Sequence, residues 1–82
     1  MNLMSEVEKA ATEVVESAHL EMTNGRHGVV VLTKDGKLHV AALKFTKGTR
    51  WTFEKQGDKW FRTKGAGQIP QDLYTVARRM MR

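Results

Sequence analysis

Residues 28 to 45 read Gly28-Val-Val-Val-Leu-Thr33, Lys34-Asp35-Gly36-Lys37 and Leu38-His-Val-Ala-Ala-Leu-Lys-Phe45. Two β-rich apolar runs flank an Asp-Gly pair, the strongest short-range hairpin signal a sequence carries. With Asp35-Gly36 as a two-residue loop, Val29, Val31 and Thr33 share a face with Leu38, Val40 and Ala42. Val30 and Leu32 then share the other face with His39, Ala41 and Leu43. Both faces of this hairpin are apolar, so each needs cover from another element, another copy or a partner.

Downstream, Thr46-Lys47-Gly48-Thr49 reads as a turn, followed by a second hairpin of Arg50-Trp-Thr-Phe-Glu-Lys55 and Lys59-Trp-Phe-Arg-Thr-Lys64 around Gln56-Gly57-Asp58. A three-residue loop sends Trp51, Phe53 and Phe61 to one face, and Arg50, Thr52, Glu54, Trp60, Arg62 and Lys64 to the other. A two-residue loop slips the register and groups Trp60 with Trp51 and Phe53. Sequence leaves that choice open. Lys64-Gly65-Ala66-Gly67-Gln68 reads as a connector. Pro70 suits the first turn of a final helix, whose apolar stripe is Ile69, Leu73, Val76, Ala77 and Met80, with Arg78, Arg79 and Arg82 at its C-terminal end.

Upstream, Ser5 and Glu8 have the form of a capping box. Leu3, Met4, Val7, Ala10, Ala11, Val14, Val15, Ala18 and Met22 recur at helical spacing, with Leu20 off the stripe. Asn24-Gly25 reads as the left-handed stop. The expected fold is α+β: an N-terminal helix, a four-stranded antiparallel meander and a C-terminal helix, both helices on one sheet face and the other face left to water or a partner. Residues 1–82 form one domain.

The chain has 82 residues and no cysteine, which excludes disulfides and thiolate sites and leaves a thin core held by packing alone. No run approaches the length of a membrane span, and the first residues lack the pattern of a signal peptide. A cytoplasmic setting follows, the host cytoplasm if the protein is viral. No spacing of His19, His27 and His39 with acids matches a metal pattern, and neither Ser5 nor Ser17 has a base and orienting acid beside it. The expectation is a non-enzyme without cofactor or metal.

Charge is unevenly spread. Residues 1–24 hold five Glu against Lys9, net −4; residues 25–82 hold thirteen Lys and Arg against four acids, net +9. Basic residues interleaved with aromatics are the mixture that neutralises phosphates and stacks on bases, although strand aromatics also build cores and edge lysines also deter aggregation. The reading adopted is a small nucleic-acid-binding domain. Trp60 stacks, while Lys44, Lys47, Arg50, Arg62 and Lys64 contact phosphates. The alternative is an adaptor or inhibitor of a host complex, of the kind phages and mobile elements carry, with a protein partner. A homodimer covering the two-sided apolar hairpin is a third possibility.

Overall fold

A computed structural model describes residues 14–22, 25–44 and 47–81, with Lys44 and Lys47 described at the backbone. Five strands form one antiparallel sheet in sequence order: β1 (Val14–Glu21), β2 (His27–Thr33), β3 (Lys37–Lys44), β4 (Lys47–Gln56) and β5 (Lys59–Lys64). One helix, α1 (Gln71–Met80), follows. It is not long and apolar enough to cross a membrane.

The expected N-terminal helix is overturned over its second half. Val14–Glu21 is a strand paired with β2, from Val14 opposite Thr33 to Glu21 opposite His27; the capping box at Ser5 and Glu8 lies outside the described residues. The sheet therefore has five strands instead of four, with one described helix on it instead of two. Two physical reasons favour the strand. β2 is apolar along both faces, and Val29, Val30 and Val31 are at most 5% exposed. A strand so buried cannot leave one side of its backbone unpaired. Secondly, Ala18, Leu20 and Met22 recur at a spacing of two and pack together toward the core. Leu20, the misfit of the helical stripe, is in place on a strand. Of the expected Asn24-Gly25 stop, Gly25 lies in the connection between β1 and β2, and Asn24 lies outside the described residues. Gly25 has φ +80°, its N–H donates to the Met22 carbonyl at 3.1 Å, and the Met22 N–H donates to the Arg26 carbonyl at 2.8 Å.

The first expected hairpin is present with a different register. Leu32 faces Leu38, Val30 faces Val40 and Gly28 faces Ala42, while Val31 faces His39 and Val29 faces Ala41. The loop between the strands is Lys34-Asp35-Gly36, three residues with Gly36 at φ +84°, a turn closed by a left-handed glycine. One residue more than the two-residue reading exchanges the partners across the faces. The Thr33 side chain helps hold this turn. Its hydroxyl donates to the Asp35 carboxylate and lies 3.1 Å from the Lys37 carbonyl oxygen, and the residue is 3% exposed. Of the expected turn at 46–49, Lys47, Gly48 and Thr49 pair with β3, opposite Lys44, Leu43 and Ala42, and Thr46 lies outside the described residues.

The second hairpin takes the two-residue loop. Gln56 pairs with Lys59 and Lys55 with Trp60, and Gly57 at φ +68° supplies the positive φ such loops need. Trp60 consequently joins the face of Trp51 and Phe53.

That face is the core. Val30, Leu38, Val40, Ala42, Trp51 and Phe53 meet Leu73, Ala77 and Met80 of α1, together with Ile69 just before it. The spacing of 73, 77 and 80 is the apolar stripe read from sequence. Gly28 lets the helix approach, since a Cβ there would lie 2.7 Å from Leu73 Cδ1. On the opposite face Val29, Val31 and Ala41 are also withdrawn from water, at 5%, 0% and 2% exposure. The apolar hairpin strands are thus already buried on both faces.

The connector is fastened rather than loose. The Trp51 indole N–H donates to the Ala66 carbonyl at 3.1 Å, and the Arg62 guanidinium donates to the Gly67 carbonyl at 2.7 Å. Gly65, at φ +105°, sits where a Cβ would fall 2.6 Å from Trp51 Cδ1 and 2.7 Å from the Arg50 carbonyl oxygen. Gly65→Ala must both strain the backbone and push the connector off Trp51. It is expected to cost about 2 kcal/mol or more, read as a lower urea midpoint together with a changed near-ultraviolet signal from Trp51.

Candidate nucleic-acid interface

The pleat decides which cations can act together. On β4, Arg50, Thr52 and Glu54 point away from the helix because Trp51 and Phe53 point toward it. Across the β3 ladder, Lys37 faces Glu54, His39 faces Thr52 and Ala41 faces Arg50. Across the β5 ladder, Lys59 faces Gln56, Phe61 faces Glu54 and Lys64 faces Thr52. A register shift between Thr52 and Phe53 returns Lys64 to the open face, although Arg62, two residues earlier, lies on the helix side with Phe53. The Thr63 hydroxyl donates to the Thr52 carbonyl at 3.3 Å in this irregular stretch.

The result is a group of basic side chains around His39. Burial lowers the His39 pKa below its ordinary value; Asp35 pulls it up, while Lys37, Arg50 and Lys64 push it down. The register places these residues near one another: Lys37 is two residues from His39 on β3, Arg50 faces Ala41 two residues beyond it, and Lys64 faces Thr52, the residue opposite His39. Beside them Phe61 is 46% exposed, one of three large apolar side chains open to water among the described residues. Glu54 sits between Phe61 and Lys37 in the ladder and is the one acid in that row.

Of the six residues expected to form the site, Arg50 and Lys64 meet on this face. Arg62 lies on the helix side and is engaged with Gly67. Trp60 also lies on the helix side, half-buried and packed against the core, and its indole N–H is buried without a hydrogen-bond partner. Lys44 and Lys47 stand opposite one another at the end of the β3–β4 ladder. Phe61 and Lys37, which belong to the interleaved basic and aromatic residues of the sequence but not to the six expected site residues, and His39 lie on this face as well. The two-residue reading of the Gly57-Asp58 loop was the signal for Phe61, because it turns Trp60 inward and its neighbour outward.

Elsewhere, a groove of about 390 Å³ between the second hairpin and the start of α1 is lined by Phe53, Arg62, Gln68, Ile69, Gln71 and Tyr74. The rings of His19 and His27 lie 5.9 Å apart. No group of three His, Cys, Asp or Glu among the described residues could hold a metal ion.

Comparison of the chain with protein-family models finds no match, and comparison with curated proteins and with solved structures finds none either.

The depressed pKa of His39 has a consequence for stability. In the unfolded chain His39 takes up its proton near pH 6.5, whereas in the fold it does so at lower pH. Between those values the unfolded state binds more protons, so the contribution is complete above about pH 6.5 and is lost as the pH falls through the folded-state pKa. His39→Gln is expected to flatten the fall in Tm between about pH 7.5 and about pH 5.5, measured by calorimetry on both proteins. Equal slopes would show that His39 is not the group responsible.

Proposed function

We propose that the protein binds single-stranded nucleic acid on the exposed β4–β5 part of the sheet face turned away from α1, with Lys37 and His39 of β3 at its margin. The observation that carries this reading is the grouping of Lys37, Arg50 and Lys64 around His39 with exposed Phe61 on the same face. Cations held at fixed spacing on a sheet neutralise successive phosphates. An open phenyl ring stacks on a base, which a duplex would keep within its own stack, so single strands are favoured over double strands. Few groups on the face can read base edges, and binding of this kind is tolerant of sequence. In this geometry Phe61 takes the stacking role expected of Trp60, and Lys37 takes the place of Arg62.

The test is fluorescence anisotropy with labelled single- and double-stranded oligonucleotides over a salt series. Binding should weaken linearly in log–log form as salt rises, and Arg50→Ala or Lys64→Ala should each reduce the slope by about 1. Phe61→Ala should weaken single-strand binding by about 1–3 kcal/mol while leaving the slope unchanged. Arg62→Ala, on the opposite side of the sheet, should leave the slope as it is. Absence of binding at low salt, or equal effects of Arg50→Ala and Arg62→Ala, would overturn the proposal.

A further inference from the structure

We infer that β1 and β5, the two edges of the sheet among the described residues, pair with each other between copies of this chain, so that the sheet continues from one molecule into the next. The inference is independent of the nucleic-acid reading. An edge strand presents a row of backbone N–H and C=O groups that a further strand can take up. Three observations choose the occupant.

The exposed large apolar side chains among the described residues are Val14, Val15 and Phe61, and all three lie on these two strands. Their charges are opposite: β1 carries Glu16 and Glu21 and no Lys or Arg, whereas β5 carries Lys59, Arg62 and Lys64 and no acid. The charges also match face by face. Glu16, opposite Leu32, lies on the helix side, as does Arg62. Glu21, opposite His27, lies on the open side, as do Lys59 and Lys64. Copies joined with their helices on the same side pair β5 with β1 in parallel and set the basic edge of one against the acidic edge of the next. Pairing of β1 with β1, or β5 with β5, sets like charges together, which costs free energy.

Both strands carry a register shift, between Val14 and Glu16 in β1 and opposite Thr52 and Phe53 in β5. Such irregularities twist an edge and shorten the ladder it can offer, so the association is weak and reversible. Joining unlike edges is heterologous and does not close at two copies. Assembly proceeds past a dimer as concentration rises.

Sedimentation velocity of the full chain, without nucleic acid and at low salt, tests this. The sedimentation coefficient should climb with concentration and fall back when salt is added. Glu16→Lys with Glu21→Lys makes both edges basic; Lys59→Glu with Arg62→Glu makes both acidic. Each variant alone should associate at least about tenfold more weakly than the parent, and an equimolar mixture should recover association because every basic edge then meets an acidic one. Because Arg62 also holds Gly67, the single changes Glu16→Lys and Lys59→Glu are mixed in the same way if circular dichroism shows the double variant unfolded. A parent chain that stays monomeric at every concentration, variants that associate as the parent does, or a mixture without recovery would each overturn the inference.

Discussion

A strand turns successive side chains to opposite faces, so the number of residues in a hairpin loop decides which side chains share a face. In this protein that constraint governs the rest of the structure. Three residues between β2 and β3 bring Leu32 and Val30 onto the same face as Leu38 and Val40. Two residues between β4 and β5 add Trp60 to Trp51 and Phe53. Those two counts assemble one apolar surface broad enough to receive the Leu73, Ala77 and Met80 stripe of α1. A helix of ten residues has little stability alone and persists because it docks there.

The same counts distribute charge. Once Trp51 and Phe53 turn toward the helix, Arg50, Thr52 and Glu54 must turn away, and Lys37, His39 and Phe61 follow through the ladders. The basic face is the complement of the core. Arg62 belongs to the other side, where its guanidinium ties Gly67 and acts with the Trp51 indole to direct the connector toward α1. A cation on β4 or β5 thus lies either on the face turned away from α1 or on the side of the connector, according to its place in the ladder.

Residues 14–21 show why periodicity alone misleads. Val14, Val15, Ala18 and Met22 satisfy a helical stripe, and Ala18, Leu20 and Met22 satisfy a strand with inward alternation. Helix propensity differs between these readings by a few tenths of a kcal/mol per residue, which is small against the cost of leaving one edge of a buried β2 without hydrogen bonds. The requirement comes from β2, not from the segment itself, and so it is invisible in a window of eight residues.

What the sequence determined by itself was local. The β character of 28–44 and of the two aromatic strands, the glycine turns, the C-terminal helix with its buried stripe, and the concentration of positive charge after residue 24 all follow from side-chain chemistry within a few positions. Register, the identity of the first described strand, and the division of the cations between two faces were decided by tertiary structure. Each depends on a comparison between whole faces: which pairing buries the larger apolar set and leaves fewer backbone groups unsatisfied. Arg50 and Lys64 could be named in advance as basic strand residues, but only the assembled sheet sets them around His39 and puts Phe61, rather than Trp60, in the water.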